Sequence, residues 1–220
     1  LSIYQAAQTL LNDAITQLQT VPTTRKNSDD ILLGGNPVAW IQVANTLKAR
    51  YFLMTRQYAE AYNSAQLGIS TGANSLRYAK AYSGYGTTNE NSSLYSLILT
   101  GSRAGDLTST GSFIQDLMNP ANASSRNNAK TDESRRRDYL FLDQSGLNAN
   151  RLSWKSATMP MVTYEENLLI LAETGLRTVN FNEGLVRLNN LRAYLSTAGA
   201  FAGDPSLTSL YLDYAAADFN

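Results

Sequence analysis

Apolar residues recur at helical spacing in four stretches of the chain. In the first, Ile3, Ala7, Leu10, Ala14 and Leu18 predict one buried helix face, and Pro22 stops the run. The second opens with Asn36 as N-cap and Pro37 at the first helical position, where a missing N–H costs nothing. From there Trp40, Ala44, Leu47, Tyr51 and Met54 continue an apolar stripe. A third helix is expected from Tyr58 to about Ile69, through Ala61 and Ala65, with Gly72 as its end signal. The fourth stretch is a pair: Met161 to Leu176 after Pro160, then Phe181 to Leu195, closed by Gly199.

The two pairs share a spacing. Ala49 and Ala61 lie twelve residues apart, with Tyr58 three before Ala61; Ala172 and Gly184 are also twelve apart, with Phe181 three before Gly184. Small residues at such points let antiparallel helices approach, and the aromatic fills the gap beside them. The pattern predicts a mainly α fold with tetratricopeptide-like hairpins over 36–72 and 160–197, against the alternative of ordinary helical hairpins.

Between the hairpins, 73–158 reads as a loop-rich insertion within one helical domain spanning 1–220. From Tyr82 to Gln115 the only charged residues are Glu90, Arg103 and Asp106, and the rest is mostly Ser, Thr, Asn, Gly and Tyr. Disorder usually comes with charge or Pro, so long ordered loops are expected here. A short charged helix is expected from Ser134 to Phe141, with Arg135, Arg136 and Arg137 neutralised by Asp132, Glu133 and Asp138.

Composition narrows the chemistry. Eighteen Lys plus Arg balance eighteen Asp plus Glu, which argues against a nucleic-acid partner. With no His and no Cys, catalytic triads, thiolate chemistry and His- or Cys-ligated metals are excluded. No phosphate-cradling glycine motif is present, and no cofactor is expected. Glu166 and Glu173, seven apart, would share a helix face, but glycosidase carboxylates normally face each other across a cleft from separate elements. Asp29-Asp30 and Asp132-Glu133 lack metal-ligand spacing. The chain therefore reads as a binding protein and not an enzyme. Asn91-Ser92-Ser93 and Asn122-Ala123-Ser124 fit the glycosylation sequon, a short match that often arises by chance. No stretch approaches the roughly 20 apolar residues of a membrane span. The chain starts without Met inside an amphipathic pattern, so it is expected to be a piece of a longer protein.

Aromatics carry the stronger signal. Thirteen Tyr outnumber six Phe and two Trp, and they sit among neutral polar residues. Flat rings with a wet hydroxyl, surrounded by amides and hydroxyls, suit a neutral polyhydroxylated ligand.

Three blocks resemble the SusD/RagB-like family of surface lipoproteins. The first is Asn36-Pro-Val-Ala-Trp40 through Asn45-Thr-Leu-Lys48-Ala-Arg50. The second is Pro160-Met-Val-Thr-Tyr164-Glu-Glu166 through Ala172-Glu173, and the third is Leu188-Asn189-Asn190-Leu191-Arg192. The family's Asp-Pro-Arg triplet is absent near Arg135, Glu165 replaces a small residue, and Thr174-Gly175 replaces an Ala-rich turn. The resemblance implies the middle of a chain about twice this long, with 36–195 matched and the lipid-anchored Cys missing. It also implies an outer-membrane surface lipoprotein, attached only through that anchor and seated on a SusC-type TonB-dependent transporter. Such a protein hands the transporter an oligosaccharide or, in some members, a peptide. Trp40, Asn45, Arg50, Tyr164 and Glu166 are then expected to pack or bond between helices. No binding residue transfers by motif; Tyr82, Tyr85, Tyr95 and Trp154 are the candidate ligand-binding residues on composition and position. The competing reading is a tetratricopeptide-type module for a peptide or protein partner.

Overall fold

The computed structural model describes residues 2–22, 29–78, 111–123, 125–141, 159–201 and 210–219. They contain the helices α1 (Ser2–Gln19), α2 (Pro37–Met54), α3 (Tyr58–Gln66), α4 (Phe113–Met118), α5 (Ser134–Leu140), α6 (Tyr164–Thr178) and α7 (Phe181–Leu195). Two short strands, β1 (Leu76–Tyr78) and β2 (Met159–Val162), pair with each other. The fold is mainly α. No described helix is long and apolar enough to cross a membrane. The chain divides into two compact units: Leu1–Tyr78 with Pro160–Leu191 and Tyr214–Asn220, and Ala79–Met159 with Arg192–Asp213.

In the first unit α2 is the central helix, flanked by α1, α3 and α6. Its start follows the sequence: the Asn36 side chain accepts hydrogen bonds from the Val38 and Ala39 N–H groups at 3.1 and 3.3 Å. The turn before it is built by Asp30, whose carboxylate accepts from the N–H groups of Leu32, Leu33 and Gly35 and from Trp40 Nε1 at 2.7 Å. Gly34 and Gly35 supply the left-handed backbone this turn needs, at φ of 64° and 72°. Because α2 has neighbours on several sides, the single expected stripe fails. Ala39, Val43, Asn45, Thr46 and Ala49 are buried alongside Ala44, while Met54 is 62% exposed.

The stripe expected on α1 also shifts. Ile3 and Leu10 face solvent at 82% and 69% exposure. Tyr4 instead meets the Tyr51 ring at 5.8 Å, and Gln8 Nε2 donates to the Lys48 carbonyl at 3.0 Å. A ring contact and an amide bond select the face, and hydrophobic spacing weighs neither.

α3 ends at Gln66, three residues before the expected Ile69, and Gly72 opens a 3-10 turn instead of closing the helix. The Ile69 N–H is drawn out of the helical ladder by Thr46 Oγ1 at 2.9 Å. α6 begins at Tyr164, not Met161, because Met159–Val162 is committed to β2 and Thr163 caps the helix. α7 has its expected bounds, but Gly199 lies within the 3-10 turn Ala198–Phe201 beyond it.

Ala49 and Ala61 are fully buried. Gly184 is also a close contact, where an added Cβ would lie 2.6 Å from Leu176 Cβ. Its partner is not the expected Ala172, which is half-buried. The contact falls one turn later on α6, at Gly175 and Leu176. Two apolar clusters fill this unit: Val43, Ile69, Leu76 and Val162, and Ala49, Ala65, Ile170 and Leu171.

In the second unit α5 occupies the expected charged stretch, with Arg136 Nη1 3.6 Å from Glu133. α4 begins at Phe113, inside the segment expected to be loop as far as Gln115. Arg192, 5% exposed, donates to the carbonyls of Leu212 and Lys130 and to Thr131 Oγ1 at 2.7–2.9 Å. Its guanidinium lies over the Tyr211 ring, and Tyr211 Oη donates to Glu133 at 2.6 Å. Burial, then the Glu133 hydrogen bond, raise the Tyr211 phenol above its ordinary pKa.

Candidate functional site

The site is built where α6 and α7 start against the first hairpin. The Thr163 hydroxyl caps α6 by accepting from Glu166 N at 3.2 Å. In a closed capping box the third helical residue, here Glu166, would reach back to the cap. Glu166 instead takes Arg50 of α2 through Nε at 2.5 Å and Nη2 at 2.6 Å, and Arg50 Nη2 also donates to the Met161 carbonyl. The hydrogen bond to Glu166 raises the Arg50 pKa, so the guanidinium stays charged.

Asn167 follows on the buried side, 2% exposed. Its Nδ2 donates to the carbonyls of Ala65 and Ile69 at 2.9 and 3.0 Å, and its Oδ1 accepts from Thr46 Oγ1 at 3.2 Å. One amide thus ties α6 to the end of α3 and to α2. Gly68 passes so close to Thr46 and Asn167 that no Cβ fits there.

α7 starts in the same way. Asn180 Oδ1 accepts from Glu183 N at 2.9 Å, and the Glu183 carboxylate reaches Tyr62 of α3 at 2.6 Å. Arg187, one turn on, donates to the same carboxylate at 2.6 Å. The Tyr62 hydroxyl, then Arg187, hold the Glu183 carboxyl below its usual pKa against a smaller opposing effect of burial.

These contacts enclose a cleft of about 290 Å³ whose lining includes Gln66, Ser70, Tyr164, Asn167, Arg187 and Asn190. The capacity of Asn167 is spent on structure; the other polar lining groups are Gln66, Asn190, the Arg187 guanidinium and the Ser70 hydroxyl, which accepts from Gln42 Nε2 at 2.9 Å. Glu183 offsets the charge of Arg187, so the cleft offers hydrogen bonds with little net charge. Burial raises the Tyr164 phenol above its ordinary pKa and keeps it neutral. Among the described residues no acidic cluster could hold a metal ion.

Tyr82, Tyr85, Tyr95 and Trp154 lie outside the described residues. Glu166 and Glu173 do not form a pair: the first is gripped by Arg50, the second is exposed and bonded to Arg177 at 2.9 Å. Among the motif residues, Arg50 and Glu166 join two helices, Trp40 bonds the turn at Asp30, and Tyr164 packs on the Val43–Ile69 cluster. Asn45 is buried, and its amide donates to Ile41 O of its own helix at 3.1 Å. Asn189 exchanges two hydrogen bonds with Tyr214, each of 2.9 Å. Sequence reasoning missed Gln66, Ser70, Arg187 and Asn190. The one signal for them is the recurrence of cap, aromatic and Glu in Thr163-Tyr-Glu-Glu166 and Asn180-Phe-Asn-Glu183.

Compared with known proteins, the chain matches no family model, no curated protein and no solved structure.

Proposed function

We propose that the chain is the glycan-binding helical part of a SusD/RagB-like surface lipoprotein in a nutrient uptake system. In this reading it captures oligosaccharide at the outer membrane for a SusC-type TonB-dependent transporter and performs no chemistry. The supporting observation is the cleft. Its polar lining consists of amides, hydroxyls and one charge-compensated guanidinium, which suit the hydroxyls of a neutral sugar. The Asn36–Arg50 and Pro160–Glu173 blocks meet through Arg50 and Glu166, as the resemblance implies for scaffold residues. The pairs α2–α3 and α6–α7 are then tetratricopeptide-like hairpins, and Tyr82, Tyr85, Tyr95 and Trp154 remain the candidate ligand-binding rings on composition and position.

Calorimetry against neutral oligosaccharides tests this reading. Losing one stacked ring typically costs about 2 kcal/mol, so Trp154→Ala should weaken binding roughly 30-fold. Raising salt from about 0.05 to 0.5 M should leave affinity nearly constant, because few exposed charges contribute. Full affinity without all four rings, or steep salt dependence, would refute the glycan reading.

A second reading, a module for a peptide partner, is favoured by Leu169 and Leu176. These lie seven apart on α6 and are about half exposed, an apolar face of the kind a partner helix covers. Saturable peptide binding abolished by Leu169→Ser, with no oligosaccharide bound, would select it.

A further inference from the structure

A second cavity lies away from the cleft, between α1 and the end of α2. It measures about 240 Å³, and its lining includes Tyr4, Gln5, Gln8, Phe52, Thr55 and Gln57. Every residue lining it is uncharged, and two of them are aromatic. Thr55 Oγ1 and the Gln57 amide are already joined at 2.8 Å, a preformed polar edge beside the rings.

Gln8 adds an independent observation. Its Nε2 is used by the Lys48 carbonyl, while its Oε1 is buried with no hydrogen-bond partner. A buried acceptor left unpaired costs folding free energy and calls for an explanation. The last torsion of a Gln side chain is broad, so the amide can turn its oxygen to a donor in the cavity by exchanging its bond to the Lys48 carbonyl. Two rings, uncharged amides and hydroxyls, and an unmatched acceptor together fit a ring that is flat on one face and carries hydroxyls at its edge. At about 240 Å³ the cavity suits a single ring.

We propose that the α1–α2 cavity is a binding site for one neutral polyhydroxylated ring, a monosaccharide or cyclic polyol. This site shares no residue with the α6–α7 cleft, so it stands or falls separately from the function proposed above. A ligand of about a dozen heavy atoms at ordinary efficiency binds in the millimolar range.

The test is a titration of the ¹⁵N-labelled chain with methyl glucoside, followed by amide chemical shifts. Saturable shifts at Gln5, Gln8, Phe52 and Thr55, with a millimolar Kd, are expected. Tyr4→Leu and Gln8→Met should each weaken binding about fivefold or more, the scale of one lost contact. Asn190→Ala, in the cleft, should leave these shifts unchanged. The wild-type shift map is informative even if a variant fails to fold. The proposal is overturned if no saturable shift occurs at these residues, if cyclohexanol binds more tightly than methyl glucoside, or if both folded variants bind as the wild type does.

Discussion

α6 and α7 begin with the same local device and are secured by opposite means. Each has a polar cap, an aromatic first residue and a Glu that leaves its own capping box to grip the first hairpin: Thr163, Tyr164 and Glu166 in α6, Asn180, Phe181 and Glu183 in α7. The next residue separates them. In α6 it is Asn167, a buried amide whose donors and acceptor are all used; in α7 it is Gly184, valuable for the side chain it lacks. The first start is held by satisfied polarity and the second by close approach. The same cap and Glu therefore do not imply the same interior.

The largest effect should come from the polar side of this contrast. Asn167→Ala removes three buried hydrogen bonds and orphans the Ile69 carbonyl, while the Ala65 carbonyl keeps the Gly68 N–H at 3.0 Å. A destabilisation of about 3 kcal/mol or more is expected, since each orphaned buried group costs roughly 1–3. Urea denaturation monitored by circular dichroism measures it. A loss below about 1 kcal/mol would mean that water replaces the amide and that α6 is not secured by polarity.

The steric side comes next. Gly184→Ala would place a methyl 2.6 Å from Leu176 Cβ and 2.9 Å from its Cα. Overpacking costs roughly 1–3 kcal/mol, and the better helix propensity of Ala returns up to about 1, so a net loss of about 1–2 is expected. Ala49→Leu, at a fully buried crossing, should cost roughly 1–3 kcal/mol. Ala172→Leu should change stability by less than about 0.5 kcal/mol, because its site is half open. Equal costs at 172 and 184 would restore the crossing that the twelve-residue spacing predicted.

That reversal shows what the sequence carries. The helix starts were legible where capping is local, as at Asn36-Pro37, and the bounds of α7 followed from period alone. Facing was legible only in part: on α2 Ala44 is buried as expected and Met54 is not. α2 buries polar Asn45 and Thr46 because neighbours flank it on several sides, and α1 turns on a ring contact and an amide bond. The end of α3 depends on Thr46, 23 residues away, taking the Ile69 N–H, and no local signal encodes that. The cleft was missed for a related reason. Gln66, Ser70, Arg187 and Asn190 are ordinary surface residues until α3, α6 and α7 converge on them.

An effect that vanishes at acid pH tests whether the two glutamates differ as their partners do. Glu166 meets a guanidinium that stays charged at every accessible pH, whereas Glu183 rests first on a neutral hydroxyl and then on Arg187. Its carboxyl titrates below the ordinary value of 4.5 in the folded chain. A group whose folded pKa is depressed contributes stability that is complete above the unfolded pKa and is lost as pH falls through the folded one. The Glu183 contribution should therefore be intact at neutral pH and disappear below about pH 4.5. Glu183→Gln removes the charge but keeps the shape and an oxygen for Tyr62. Its penalty relative to wild type, no more than about 1 kcal/mol for a partly exposed pair, should shrink toward zero between neutral pH and about pH 3. Parallel urea titrations at several pH values measure it. A penalty that stays constant across this range would show that the Glu183 charge contributes nothing. The α7 start would then rest on the Asn180 cap and the close approach at Gly184 alone.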